Sequence, residues 1–191
     1  MNKILKNILC LGLSVVTSSF SLSFAAEETK SSYSSTNNSG ELKLASKDDI
    51  DDMISTYKKC FVDYIGDKYF KESFELDDVK VYKYVANGKA VSYAIVEDGK
   101  IENEDIYNLC WFYTKPDCQG KGYGTVFLKE LTDKLSDKIM MIYSSDRGLN
   151  FYPKRKFLIK DPKNFRIFWH VPSTHRLYEM ALKLKQTSVI K

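Results

Sequence analysis

The sequence has little of what would staple or metallate a fold: four cysteines and two histidines in 191 residues. Cys10 falls in the N-terminal apolar stretch, which leaves Cys60, Cys110 and Cys118 for the remainder of the chain. An odd set makes no closed disulfide framework, so at least one thiol stays free or pairs between chains, and Cys60 and Cys110 read as small buried hydrophobes. His170 and His175 have no Cys or His companions at ligand spacing, which excludes a recognisable metal site. The apolar run from Ile8 to Val16 is shorter than a membrane span needs and is interrupted by serine. No internal repeat is visible. From Pro153 onward acid is scarce, with Asp161 and Glu179 against ten lysines and arginines.

What is present divides the chain in three. Lys3 and Lys6 precede the apolar run, and Ser23-Phe24-Ala25 supplies small residues before a cut, so residues 1–26 read as a secretory signal, with a retained membrane anchor as the alternative. Residues 27–41 are serine-rich and nearly devoid of apolar anchors, too polar to offset chain entropy, and read as a disordered spacer. The remaining 42–191 has the length of one domain, and the 43% hydrophobic content of the chain suits a globular core. Without Lys3 and Lys6 the chain carries 27 basic and 25 acidic residues. The basic C-terminal portion is then either a solvated face or an anion-holding one, and nucleic acid is not a favoured partner.

Within the domain, Leu42 to Ala45 suggests a strand and Ser46 an N-cap with Asp49 at N3. Ile50, Met53, Ile54, Tyr57 and Phe61 then recur at helical spacing. The aromatic stretch Phe61 to Phe74 suggests a second short helix. Val79–Ala86 and Lys89–Val96 flank Asn87-Gly88, a two-residue hairpin signal. Asp98-Gly99 suggests a further turn, before a strand from Ile106 to Thr114. A helix over Thr125–Leu135, a strand over Lys138–Tyr143, a helix over about 147–155 and strands over Phe157–Lys160 and Phe165–His170 follow. Ser173 can cap a last helix carrying Leu177, Met180, Ala181 and Leu184.

The most pointed chemistry is Gln119-Gly120-Lys121-Gly122-Tyr123-Gly124 between the Ile106–Thr114 strand and the following helix. Glycines let several backbone N–H groups converge on one anion at a helix N-terminus, where the dipole adds positive charge, and Lys121 adds more. A Walker A loop needs Ser or Thr after Gly-Lys, and Gly122 stands there. A dinucleotide fingerprint counted from Gly120 needs glycine at Thr125. The pattern that fits is Gln/Arg-x-x-Gly-x-Gly/Ala, met by Gln119, Gly122 and Gly124. It resembles the acetyl-CoA loop of the GCN5-related N-acetyltransferase (GNAT) superfamily. Asn150-Phe151-Tyr152-Pro153-Lys154-Arg155-Lys156-Phe157 is similar to a second motif of that superfamily, matched at Tyr152, Lys154 and Phe157 and departed from at Ser145, Gly148 and Lys156.

The resemblance implies an α+β fold: a mixed, mostly antiparallel sheet flanked by helices. It implies acetyl-CoA as co-substrate, held by Phe112, Tyr113, Thr114, Gln119, Gly120, Lys121, Gly122, Tyr123, Gly124 and Thr125. An amine on a protein or small molecule would attack directly, without a serine or cysteine nucleophile. Tyr152 would protonate the departing thiolate, and Glu104, chosen over Glu102 and Asp105, would serve as base. A secretory signal on a protein that uses a cytosolic co-substrate suggests delivery into a host cell, with a host target. The competing reading is a non-catalytic secreted interaction module on the same scaffold.

Overall fold

In the computed structural model, residues 40–61, 66–101, 103–145, 148–155, 157–161, 164–175 and 178 are described. The expected signal, most of the spacer, Glu102 and the greater part of the expected last helix lie outside them. Strand β1 (Gly40–Leu44) opens the fold, two residues before the expected domain start. After it, Ser46 and Asp49 close a capping box, the Ser46 amide donating to Asp49 Oδ2 at 2.8 Å. A single 3-10 turn leads into α1 (Ile50–Cys60), whose Met53, Ile54 and Tyr57 are buried at the spacing read from the sequence, with Cys60 buried beside them and Ile50 and Phe61 only partly so. A short helix, α2 (Asp67–Glu72), then buries Phe70.

Strands β2 (Val79–Ala86), β3 (Lys89–Ile101) and β4 (Glu104–Thr114) form an antiparallel meander. Asn87 and Gly88 both have positive φ, as the tight hairpin requires. The turn expected at Asp98-Gly99 does not exist. β3 runs on to Ile101, with Gly99 opposite Ile106 in the ladder. Glycine stands there for space, since a Cβ would collide with the Asn108 side chain.

Helix α3 (Tyr123–Lys134), β5 (Ile139–Tyr143), β6 (Leu158–Asp161) and β7 (Asn164–His170) complete the described fold. The order is β1-β2-β3-β4-β5-β7-β6, with β4–β5 the parallel neighbours in an otherwise antiparallel sheet. In place of the α-helix expected over about 147–155, described residues 148–155 form turns and the 3-10 segment Pro153–Arg155.

Side chains alternate across the sheet and so divide the core. Tyr113 points towards α1, its hydroxyl donating to the Met53 carbonyl at 3.2 Å, whereas Phe112 packs on Phe127 of α3 with ring centroids 5.3 Å apart. The larger apolar cluster joins Tyr84, Ala94, Val96 and Leu109 of the sheet to Phe127, Leu128 and Leu131 of α3. At about 25 cal/mol per Å² of apolar surface, this burial is the main stabilising contribution to the sheet–helix layer.

Candidate active site

Two irregularities in β4 create the site. Between Ile95 and Val96 the β3–β4 register slips: Ile95 faces Trp111 and Val96 faces Leu109, so Cys110 is bulged out of the pairing. On its other edge β4 pairs with β5 at three positions, Ile106–Ile139, Tyr107–Met140 and Asn108–Met141. Beyond Asn108 the pairing with β5 ends, and among the described residues the β4 backbone from Leu109 to Thr114 has no β5 partner on that edge.

The glycine turn follows this part of β4 in the chain. Gly122, at φ 85° and ψ −9°, is the N-cap of α3, in the left-handed region that costs an L side chain about 1 kcal/mol or more. The Gly122 carbonyl already accepts from the Thr125 and Val126 amides. The N–H groups of Tyr123 and Gly124, the first two helical residues, have no intrahelical acceptor and form the positive end of the dipole. A Cβ on Gly120 would meet nothing within 4 Å, so the turn faces open space. Between the turn and the β2–β3 hairpin lies a cavity of about 230 Å³ whose lining includes Lys89, Lys115, Lys121 and Tyr123. Glycine, a free helix end and lysines together suit a polyanion such as a diphosphate.

The residues singled out from the sequence mostly converge here. Gln119 Nε2 donates to the Thr114 carbonyl at 2.9 Å and ties the turn to the strand end. Thr114 Oγ1 lies 2.8 Å from Ser92 Oγ, and a Cβ on Gly124 would come within 3.0 Å of that same atom, so helix and strand touch at their ends. Phe112 reaches the second motif through Phe151, with ring centroids 5.9 Å apart. Lys121 Nζ donates to the Asp117 carbonyl at 2.7 Å, within the same loop. Tyr113 is turned away, towards α1.

Tyr152 is 6% exposed and packed between Phe151, Phe157 and Phe168. Burial pushes its phenol well above the ordinary tyrosine range, the Arg155 charge opposing only in part, so the hydroxyl stays protonated and is a weaker acid than that of an exposed tyrosine. Glu104 is not brought to the same place. It begins β4, four residues before the pairing with β5 ends at Asn108, which at the strand rise is roughly 13 Å. His175 Nε2 lies 3.7 Å from its Oε2.

Arg155 is the residue that sequence reading passed over. Its guanidinium donates to Thr125 Oγ1 and to the Phe151 carbonyl and lies 3.6 Å from the centroid of the Phe151 ring. The basic excess after Pro153 was the available signal, but it did not single out this position. Among the described residues no group of His, Cys, Asp and Glu could hold a metal ion.

A model of the acetyltransferase (GNAT) domain family matches residues 35–174. The chain belongs to the GNAT family. No curated protein matches the sequence significantly. Among solved structures, the ribosomal-protein-S18-alanine N-acetyltransferase of Escherichia coli is 16% identical, with a TM-score of 0.57 over 72% of this chain and 96% of that one. Arabidopsis thaliana Naa50, in complex with the bisubstrate analogue CoA-Ac-MVNAL, is 16% identical with a TM-score of 0.52, covering 68% and 95%. Tetrahymena GCN5 is 10% identical with a TM-score of 0.55, covering 68% and 94%. At such identities the likeness is one of fold.

Proposed function

We propose that this GNAT domain transfers acetyl from acetyl-CoA directly to an amine of a protein or small molecule. The observation that carries the reading is the end of β4–β5 pairing at Asn108, with the glycine turn and the α3 N-terminus next along the chain. A diphosphate would lie on the amides of Gly122 to Gly124 beside Lys121 and Arg155, and the pantetheine arm would run along Phe112 to Thr114. A β4 backbone N–H beyond Asn108 would polarise the thioester carbonyl; one such preorganised donor is typically worth about 2.7–4 kcal/mol in the transition state.

Tyr152 would give its proton to the departing thiolate, although burial makes its phenol a weaker acid for that step than an exposed tyrosine. To reach Glu104 as base, the amine's proton would have to travel the length of four β4 residues, through water. Cys110 does not suit a covalent acetyl intermediate, because burial and the neighbouring Glu97 carboxylate push its thiol far above the ordinary range.

The N-terminal segment supports export, so we read the protein as an acetyltransferase delivered to act outside the producing cell. Recovery of only the unprocessed chain, in that cell's cytosol, would count against delivery. The enzymatic reading is tested by thermal unfolding with acetyl-CoA: at a hundredfold excess over Kd a binder gains about 2.7 kcal/mol. An unshifted curve would favour the non-catalytic interaction module.

A further inference from the structure

Strand β1 stands at one end of the sheet, and among the described residues no strand pairs with its outer edge. The Ala45 amide donates to the Val81 carbonyl at 2.9 Å, which sets the alternation along the strand. Glu41, Lys43 and Ala45 turn their backbone groups to β2, whereas Gly40, Leu42 and Leu44 turn theirs outward. Side chains alternate between the two faces of the sheet as well. Leu42 is opposite Tyr84, whose ring stacks on Phe127 of α3 with centroids 5.8 Å apart, so Gly40, Leu42 and Leu44 lie on the α3 face. Lys43 is opposite Lys83, which binds Asp49 just before α1, so Glu41 and Lys43 lie on the other face.

Two features set this edge apart from a strand that merely ends a sheet. Leu44 is 61% exposed, on the face where Tyr84 packs against α3. Glu41 and Lys43, opposite in sign and two residues apart, pair with each other at 2.8 Å. Charges on an edge strand ordinarily deter pairing with another chain. A Glu-x-Lys pair does not deter its own copy, because reversing the strand brings each charge opposite its complement.

We propose that two copies of this chain join through β1, antiparallel and across a two-fold axis at Leu42, into one continuous sheet. The outward Leu42 groups then exchange N–H···O bonds with those of the other copy, and Gly40 and Leu44 pair across the axis. Glu41 of each copy meets Lys43 of the other in a non-hydrogen-bonded pair, where side chains come closest. Leu44 lies over the other copy's Gly40, a position kept bare because a Cβ there would collide with the Tyr84 ring. Registers centred on Glu41 or on Lys43 would set like charges face to face. With five residues a side the interface is small, so the association is weak and reversible. β2 and β3 separate it from β4, and it does not depend on the acyl-transfer reading.

Sedimentation equilibrium of the full chain tests this. Wild type is expected to dimerise, and Glu41→Lys and Lys43→Glu are each expected to raise the dimer Kd about tenfold or more, since each creates two like-charge contacts across the axis. Combining Glu41→Lys with Lys43→Glu should return the Kd to within about threefold of wild type. Leu44→Ser, at an exposed position, is expected to weaken the dimer about fivefold while leaving the melting curve of the dilute protein unchanged. Hydrogen exchange supplies a second measurement, in which protection of the Leu42 and Leu44 amides is expected to rise with protein concentration. A chain that stays monomeric at millimolar concentration, a dimer indifferent to the single reversals, or one that the combined reversal does not restore would overturn the proposal. Protection of those two amides that is independent of concentration would assign the edge to the chain's own preceding segment, and would overturn it as well.

Discussion

Arg155 donates twice to the hydroxyl oxygen of Thr125, from Nε at 3.1 Å and from Nη2 at 2.6 Å. A permanent cation is thereby held over the first turn of α3, where the helix end is already positive and where no acidic side chain occurs. A cation beside a positive helix end favours an anion there, which makes it a sensitive place to probe.

Arg155→Ala is expected to weaken acetyl-CoA by about 1.5–3 kcal/mol, the cost of a lost charge-assisted bond. Arg155→Lys should recover only part of this, because a point charge cannot span Thr125 and the Phe151 carbonyl as the planar fork does. Calorimetric Kd values for both variants check this; equal affinities in all three proteins would exclude a role in anion binding.

Tyr152→Phe keeps every ring contact with Phe151, Phe157 and Phe168 and removes only the hydroxyl. Turnover is expected to fall about a hundredfold while the acetyl-CoA Kd stays within about twofold. Steady-state kinetics beside a titration separate the two quantities. Parallel losses in both would mean that the tyrosine only packs.

Gly122→Ala places a methyl group on a residue at φ 85°. The strain should cost about 1 kcal/mol and lower Tm by about 2–4 °C. Because the same bend aims the helix-start amides, the melting shift given by acetyl-CoA should shrink as well. A full shift in this variant would show that the bend is not where the ligand is held.

Asp49 gives a pH prediction. Burial pushes its carboxyl up, but the Lys83 hydrogen bond at 2.7 Å, the Ser46 amide and the Lys83 charge outweigh burial and hold it below its ordinary value. A folded-state pKa below the unfolded one contributes stability that is present above the ordinary carboxylate pKa, about 4, and is lost as pH falls through the folded value. Lys83→Met should therefore lower stability near neutrality and flatten its dependence on pH below about 4. Denaturant midpoints from pH 2 to 7 for both proteins check this, and superimposable curves would rule the pair out.

Much of this molecule could be read from local rules. The capping box at Ser46 and Asp49, the apolar stripe of α1, the Asn87-Gly88 hairpin and the strand–glycine–helix unit around Gly122 each depend on neighbours within a few residues, and each was legible. Asp98-Gly99 misled because a glycine admitted to spare the Asn108 side chain looks the same in one dimension as a glycine at a bend. The segment before Arg155 forms turns because Gly148 and Pro153 interrupt helical pairing. The Arg155–Thr125 and Glu97–Cys110 contacts join residues distant in sequence, and nothing in either neighbourhood announces the other. The Cys110 bulge was equally hidden, since slipping one residue between two long strands leaves no compositional trace.

Among the described residues, the strand pairs at Ile106, Tyr107 and Asn108 are the ladder that joins the β1–β4 half of the sheet to the β5–β7–β6 half. A chain-like molecule lying beyond Asn108, bonded to the β4 edge, would act as a guest strand and prolong that short seam. Loading and unloading would then tighten and slacken the join between the two halves, so the cohesion of the sheet would rise and fall with every catalytic cycle.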